Sequence, residues 1–244
     1  MRGVRGGQVS LIFQDPVNAF NPSLTIGDQL RRMLRLHRAD EPSDGFDREI
    51  VRMLARVGVD ATGKLNGYAF NFSQGQLQRI MIAAACLAGT PALLLADEPT
   101  TSLDVTIEAQ VLQLLRDLRQ ELGLALILVT HNLALVAELC DRVLVMYAGQ
   151  IAESARTDAI FKKPLHPYTR GLMNAFPSVS GPRRELAGIP GSPPDLSHPP
   201  TGCRFHPRCP EVMPACLTHP PDLYPVGDTQ VRCLLYVEPA KEAV

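Results

Sequence analysis

Apolar residues recur along the first two-thirds of the chain in two rhythms. Ile26, Leu30, Met33 and Leu34, then Ile50, Met53, Leu54 and Val57, keep the three-and-four spacing of one helical face. Pro42-Ser43-Asp44-Gly45 separates the two runs, so two helices are expected between Thr25 and about Val57. Ser73 has the chemistry of an N-cap, and a further helix is expected from there to about Ala88. Glu108 to Leu122 is amphipathic and stops at Gly123, a residue suited to a C-cap. Between the helices lie short apolar runs: Val9 to Phe13, Ala92 to Ala96, Leu124 to Thr130 and Arg142 to Tyr147. Each reads as a strand. Apolar strands alternating with helices predict an α/β fold with a parallel sheet covered on both faces.

After about Thr157 the rhythm stops. Most of the 21 prolines lie beyond Lys163, most densely from Pro190 to Pro200. We therefore expect an α/β domain over residues 1–156, with a helical subdomain at about 25–88, and an irregular extension over 157–244. The longest uncharged apolar stretch, Ile80 to Ala96, is broken by Gly89-Thr90-Pro91 and is too short for a membrane span of about 20 residues. No apolar segment follows the charged Met1 to Arg5 as it would in a signal peptide. These features predict a soluble chain that meets a membrane only through partners. A formal net charge of -1 lacks the basic excess of a nucleic-acid binder.

The strongest chemical signal is Leu93-Leu94-Leu95-Ala96-Asp97-Glu98-Pro99-Thr100. An apolar strand that ends in two acids delivers carboxylates to the C-terminal edge of a sheet, where open α/β sheets bind ligands. This is the Walker B arrangement of P-loop NTPases. Asp97 would hold Mg²⁺, and Glu98 would orient and deprotonate an attacking water. Phe72-Ser73-Gln74-Gly75-Gln76 precedes the acids, and Thr101-Ser102-Leu103-Asp104 follows them. Gln14 ends the first strand and His131 ends the strand after the acids. In this order the segments resemble the Q-loop, signature motif, Walker B, D-loop and H-loop of the ABC ATPases. That resemblance implies a P-loop NTPase-type sheet with ATP and Mg²⁺ as ligands, and two such subunits closing head-to-tail. Ser73, Gly75 and Gln76 would face the γ-phosphate of ATP held by the opposite subunit, since a helix N-terminus with a glycine admits an anion closely. His131 would contact the γ-phosphate, Gln14 would sense Mg²⁺ and water, and Asp104 would shape the dimer interface. Gln74 departs from the pattern, standing where the signature usually has its first glycine.

A Walker A loop should lie many tens of residues before Gln14, and only 13 residues precede it. Gly58-Val59-Asp60-Ala61-Thr62-Gly63-Lys64 matches Gly-x₄-Gly-Lys. It is followed by Leu65 where Ser or Thr should ligate Mg²⁺, and it comes after an expected helix instead of a strand. It is rejected as a phosphate loop. The 244 residues by themselves are accordingly expected to be inactive.

Leu165-His166-Pro167-Tyr168-Thr169-Arg170, Ile189-Pro190-Gly191-Ser192-Pro193-Pro194 and Gly202-Cys203-Arg204-Phe205-His206-Pro207-Arg208-Cys209-Pro210 are similar to the C-terminal extension of oligopeptide/dipeptide importer ATPases. The tail does not separate them from the nickel-transporting relatives that share the fold. The resemblance implies two transmembrane permease subunits and a second ATPase subunit as partners. It also implies an extracytoplasmic peptide-binding protein as an indirect partner, and a peripheral place on the cytoplasmic face of the inner membrane. An inactive truncated product is one alternative. An ABC-type ATPase of DNA repair or translation is another, opposed by the pI of about 6.6 and by the tail.

Cys203, Cys209, Cys216 and Cys233 form C-x₅-C-x₆-C-x₁₆-C. Four thiolates can hold a tetrahedral Zn²⁺ or a [4Fe–4S] cluster. Members of the importer family carry an iron–sulfur cluster at this tail, so the resemblance implies a cluster, with zinc or unligated thiols as the alternatives. Cys86 and Cys140 are expected to be small core residues.

Overall fold

A computed structural model describes residues 4–60, 64–89, 91–175 and 188–237. The chain forms two compact units, Met1–His131 and Asn132–Val244.

In the first unit three parallel strands, β1 (Val9–Ile12), β2 (Leu93–Asp97) and β3 (Ala125–Val129), lie in the order β1-β2-β3. Leu11 pairs with Leu95, and Leu95 with Ile127. The α-helices described in this unit are α1 (Pro16–Ala19), α2 (Ile26–His37), α3 (Phe46–Arg56), α4 (Gln74–Leu87) and α5 (Val105–Leu122). The helices at α2 and α3 match the two apolar rhythms. Leu30, Leu34, Ile50 and Leu54 are buried in one core with Ile80 and Ile82 of α4 and Val111 and Leu115 of α5. Gly123 caps α5 in the left-handed conformation, as its place in the sequence predicts.

The sheet differs from expectation in its cover. Ile12, Leu94 and Ala96 join the core, while Leu11, Phe13, Ile127 and Val129 on the other face are 42%, 53%, 50% and 53% exposed. Among the described residues the sheet is therefore covered on one face only. A continuous apolar run predicts burial on both sides, but period-two alternation lets one side stay open.

The second unit contains α6 (Leu133–Leu139), β4 (Arg142–Tyr147), β5 (Gln150–Arg156), α7 (Thr157–Lys162), α8 (Pro167–Asn174), α9 (Pro214–Thr218), β6 (Tyr224–Val226) and β7 (Thr229–Val231). β4 has the predicted limits but a different partner from the one expected. It pairs antiparallel with β5, in a separate sheet of order β4-β5-β7-β6. The cause is local. Ala148 and Gly149 both have positive φ, 48° and 77°, the backbone of a two-residue hairpin turn.

The described part of the extension packs more closely than its proline content predicts. Phe205 is buried, with its ring 5.1 Å from that of Tyr147 and 5.5 Å from that of Tyr168. Beside this cluster Glu153 is 1% exposed. Its carboxylate accepts the backbone N–H groups of Leu165 and His166 at 2.8 and 2.9 Å. His166 is 2% exposed and caps α8, its Nδ1 accepting the N–H of Tyr168 at 3.0 Å. Burial pushes the His166 ring down to about 4, against a hydrogen bond to the Arg232 backbone and with some help from the charge of Arg170. The Tyr236 hydroxyl donates to the Leu165 carbonyl, tying the chain beyond β7 to the same turn. Among the described residues no helix is long and apolar enough to cross a membrane.

Candidate functional site

Parallel pairing aligns the C-terminal ends of β1, β2 and β3, with Ile12 opposite Ala96 and Asp97 opposite Val129. The residues just past those ends are Gln14, Glu98 and His131, and they meet. Gln14 Nε2 donates to Glu98 Oε2 at 2.8 Å, and His131 Nδ1 lies 3.1 Å from Glu98 Oε1. A residue without an expected role completes the group: Thr101 Oγ1 donates to Glu98 Oε2 at 2.8 Å. Glu98 is held in the left-handed region at φ 42°, its N–H bonded to the Val129 carbonyl at 2.9 Å. The hydroxyl of Thr101, then the His131 ring and Gln14, hold its carboxyl below the usual carboxylate range, against slight desolvation. Glu98 is thus a charged acceptor among three donors. Asp97, at the exposed end of β2, supplies a second carboxylate of the hard-oxygen kind that suits Mg²⁺.

Ser73, Gly75, Gln76 and Asp104 line an open cleft of about 950 Å³, with Arg56 and Arg79 on its walls. Ser73 is the N-cap of α4, as expected. Its Oγ accepts the N–H of Gln76 at 3.3 Å, and Gln76 Oε1 accepts the N–H of Ser73 at 3.0 Å. This capping box occupies the Gln76 carbonyl within the helix start. Gly75 has a packing reason for its identity: an added Cβ would lie 2.9 Å from Ile107 Cγ2. Gly75→Ala should therefore destabilise by about 1–3 kcal/mol, the usual cost of forcing a methyl against a stiff β-branched neighbour. Urea unfolding checks this, and a change below experimental error would show that Ile107 yields freely. Asp104 is the N-cap of α5, accepting the N–H of Ile107 at 2.9 Å. Asp104→Ala should cost about 1 kcal/mol in the same assay.

The rejected Gly-x₄-Gly-Lys run begins at a helix stop. Gly58 has φ 74°, and the N–H of Val59 returns to the Leu54 carbonyl at 2.8 Å after α3 ends. Ala61, Thr62 and Gly63 lie outside the described residues.

Cys86, Cys203, Cys209, Cys216 and Cys233 are free thiols. The N–H of Cys203 donates to the carbonyl of Cys216 at 2.9 Å. Burial raises the thiols of Cys203 and Cys209, and that of Cys233 to about 11, with neighbouring cysteines adding to each shift. Cys203, Cys209, Cys216 and Cys233 are thus electrostatic neighbours. Yet among the described residues no three His, Cys, Asp or Glu side chains are grouped to hold a metal ion. Desolvation favours the protonated thiol at Cys203, Cys209 and Cys233, whereas a cluster or zinc binds thiolates. Cys86 is a buried core residue on α4, its thiol pushed up to about 11 by desolvation. Cys140 is only half-buried, at the C-cap of α6.

Residues 152–216 match the family model described as oligopeptide/dipeptide transporter, C-terminal region. Residues 18–137 match one described as AAA domain, putative AbiEii toxin, Type IV TA system. A putative peptide import ATP-binding protein of Brucella abortus is 46% identical over 96% of this chain and 70% of its own length. The oligopeptide transport ATP-binding protein AppD of Bacillus subtilis is 46% identical over 98% of this chain and 73% of its own length. The oligopeptide transport ATP-binding protein OppD of Salmonella typhimurium is 46% identical, the match spanning 65% of its length. Among solved structures, cbiO1 of Clostridium perfringens, part of an ABC transporter complex, matches with a TM-score of 0.55 and 26% identity. That match covers 64% of this chain and 60% of the other.

Proposed function

As the chain belongs to the family of ATP-binding proteins of oligopeptide and dipeptide import, we propose that it drives uptake of short peptides through an ABC transporter. The observation that carries this reading is the meeting of Gln14, Glu98 and His131 past the ends of three adjacent parallel strands. Asp97 would hold the Mg²⁺ of bound ATP. Water would attack the γ-phosphorus, the bond to the bridging oxygen of ADP would break, and Glu98 would take the water's proton. His131 and Gln14 can turn from Glu98 to the γ-phosphate and the metal. Ser73 and Gly75, at the start of α4, would face nucleotide held by a second subunit across the cleft that Asp104 also lines. Two permease subunits, and indirectly an extracytoplasmic peptide-binding protein, complete the assembly on the cytoplasmic face of the inner membrane. Residues 157–244 would act as the extension specific to this branch. Cells in which the gene is inactivated should lose most uptake of labelled di- or oligopeptides and regain it with the intact gene. Unchanged uptake of every peptide length would sink this reading.

Cys203, Cys209, Cys216 and Cys233 would ligate one structural [4Fe–4S] centre, with zinc as the alternative. Their mutual proximity supports this, and assembly would need four deprotonations and a short convergence of the thiols. Anaerobic purification should yield a brown protein with about four irons per chain. A colourless protein with all four thiols open to alkylation would refute a shared centre.

A further inference from the structure

Of the three donors to Glu98, two come from other strand ends and one comes from its own turn. Thr101 is three residues on, and its N–H donates to the Glu98 carbonyl at 3.1 Å while its Oγ1 donates to Glu98 Oε2 at 2.8 Å. The backbone around it is pinned at both sides: Glu98 N–H is bonded to Val129, Leu103 N–H to the Thr100 carbonyl at 3.2 Å, and Ser102 has φ 66°. Gln14 and His131 are exposed side chains on separate loops, free to swing toward a ligand. The turn holds Thr101 beside Glu98, and only a χ1 rotation of its stiff β-branched side chain would take the hydroxyl away.

We propose that Thr101 is a positioning residue for Glu98. Its hydroxyl fixes Oε2 and so sets which carboxylate oxygen, Oε1 on the His131 side, takes the proton from water. The inference rests on the reading of Glu98 as the base. The geometry gives a division of labour: Gln14 and His131 are donors that can be exchanged for nucleotide, and Thr101 is the donor that remains. Oε2 then keeps one hydrogen bond throughout, and the carboxylate keeps its plane when the other two donors depart.

The test needs no nucleotide, so its failure is separate from a failure of the transport reading. In spectra of the 244-residue chain, the Thr101 hydroxyl proton should exchange with water at least tenfold more slowly than that of the exposed Ser102. The Gln14 side-chain amide should show a hydrogen-bonded, shifted N–H signal. Thr101→Val should displace that Gln14 signal toward the free-amide position, as the carboxylate loses its anchor, and Thr101→Ser should restore it. A Thr101 hydroxyl that exchanges as fast as Ser102 in the unsubstituted chain would overturn the proposal, whether or not Thr101→Val folds. So would a Gln14 signal indifferent to Thr101→Val in a folded protein.

Discussion

The purified 244-residue polypeptide, given Mg²⁺ and ATP, should release phosphate no faster than its Glu98→Gln variant. The reason is that the described residues hold no cradle for the phosphates. In P-loop ATPases a glycine-rich backbone and its lysine cradle the β- and γ-phosphates, and a Ser or Thr hydroxyl reaches the metal. Within these residues the Gly-Lys run follows α3, and its first two residues, Gly58 and Val59, are committed to ending that helix. Glu98 is nevertheless set for its task. The expected loss therefore falls on phosphate binding and not on the base. Glu98→Gln is a clean comparison because the amide fits the same network. Its oxygen can accept from Gln14 and Thr101, and its NH₂ can face the His131 ring. Where a general base acts, its removal costs about 10²–10⁴ in rate. Turnover above background that Glu98→Gln abolishes would show that the 244 residues suffice.

The second unit should be acid-labile, and His166 should be the cause. Its ring sits at about 4 in the fold against an ordinary value near 6.5. The unfolded chain thus takes up the proton first. Stability is fully present above about pH 6.5 and drains away as the pH falls from there toward 4. Between pH 7 and 5 the loss from this one group is about 2 kcal/mol. Tyrosine fluorescence in urea can follow it, since four of the five tyrosines, Tyr147, Tyr168, Tyr224 and Tyr236, belong to this unit. His166→Asn retains an N-cap acceptor for Tyr168 but nothing that titrates in this range. Its absolute stability will fall, but its pH dependence should flatten. The same slope in both proteins would place the acid response elsewhere.

What the sequence disclosed depended on how local the cause was. Helix limits at Ser73, Gly123 and the 42–45 break could be read because caps and turns act within a few residues. The three parallel strands and the convergence of Gln14, Glu98 and His131 followed from strand ends and motif order. The partner of β4 did not. Its apolar run is compatible with either sheet, and the decision lies in the left-handed pair Ala148-Gly149, an unusual hairpin dipeptide. Thr101 escaped notice because its role depends on the positive φ of Glu98, which no spacing reports. Gly75 reads as an anion-approach residue, yet Ile107, 32 positions away, also requires the missing side chain. The cysteine spacing located a neighbourhood but could not say whether the sulfurs were turned toward one point.

The open face of the three-stranded sheet has a practical consequence at the bench. Leu11 and Ile127 flank Leu95 in register, and Phe13 and Val129 extend the strip. A dye such as ANS, which brightens on apolar surfaces, is commonly used to recognise molten globules. In this chain it has a binding strip while the backbone is fully folded. Bright fluorescence in plain buffer would be the mark of the intact sheet, and its disappearance in denaturant, not its onset, would report unfolding.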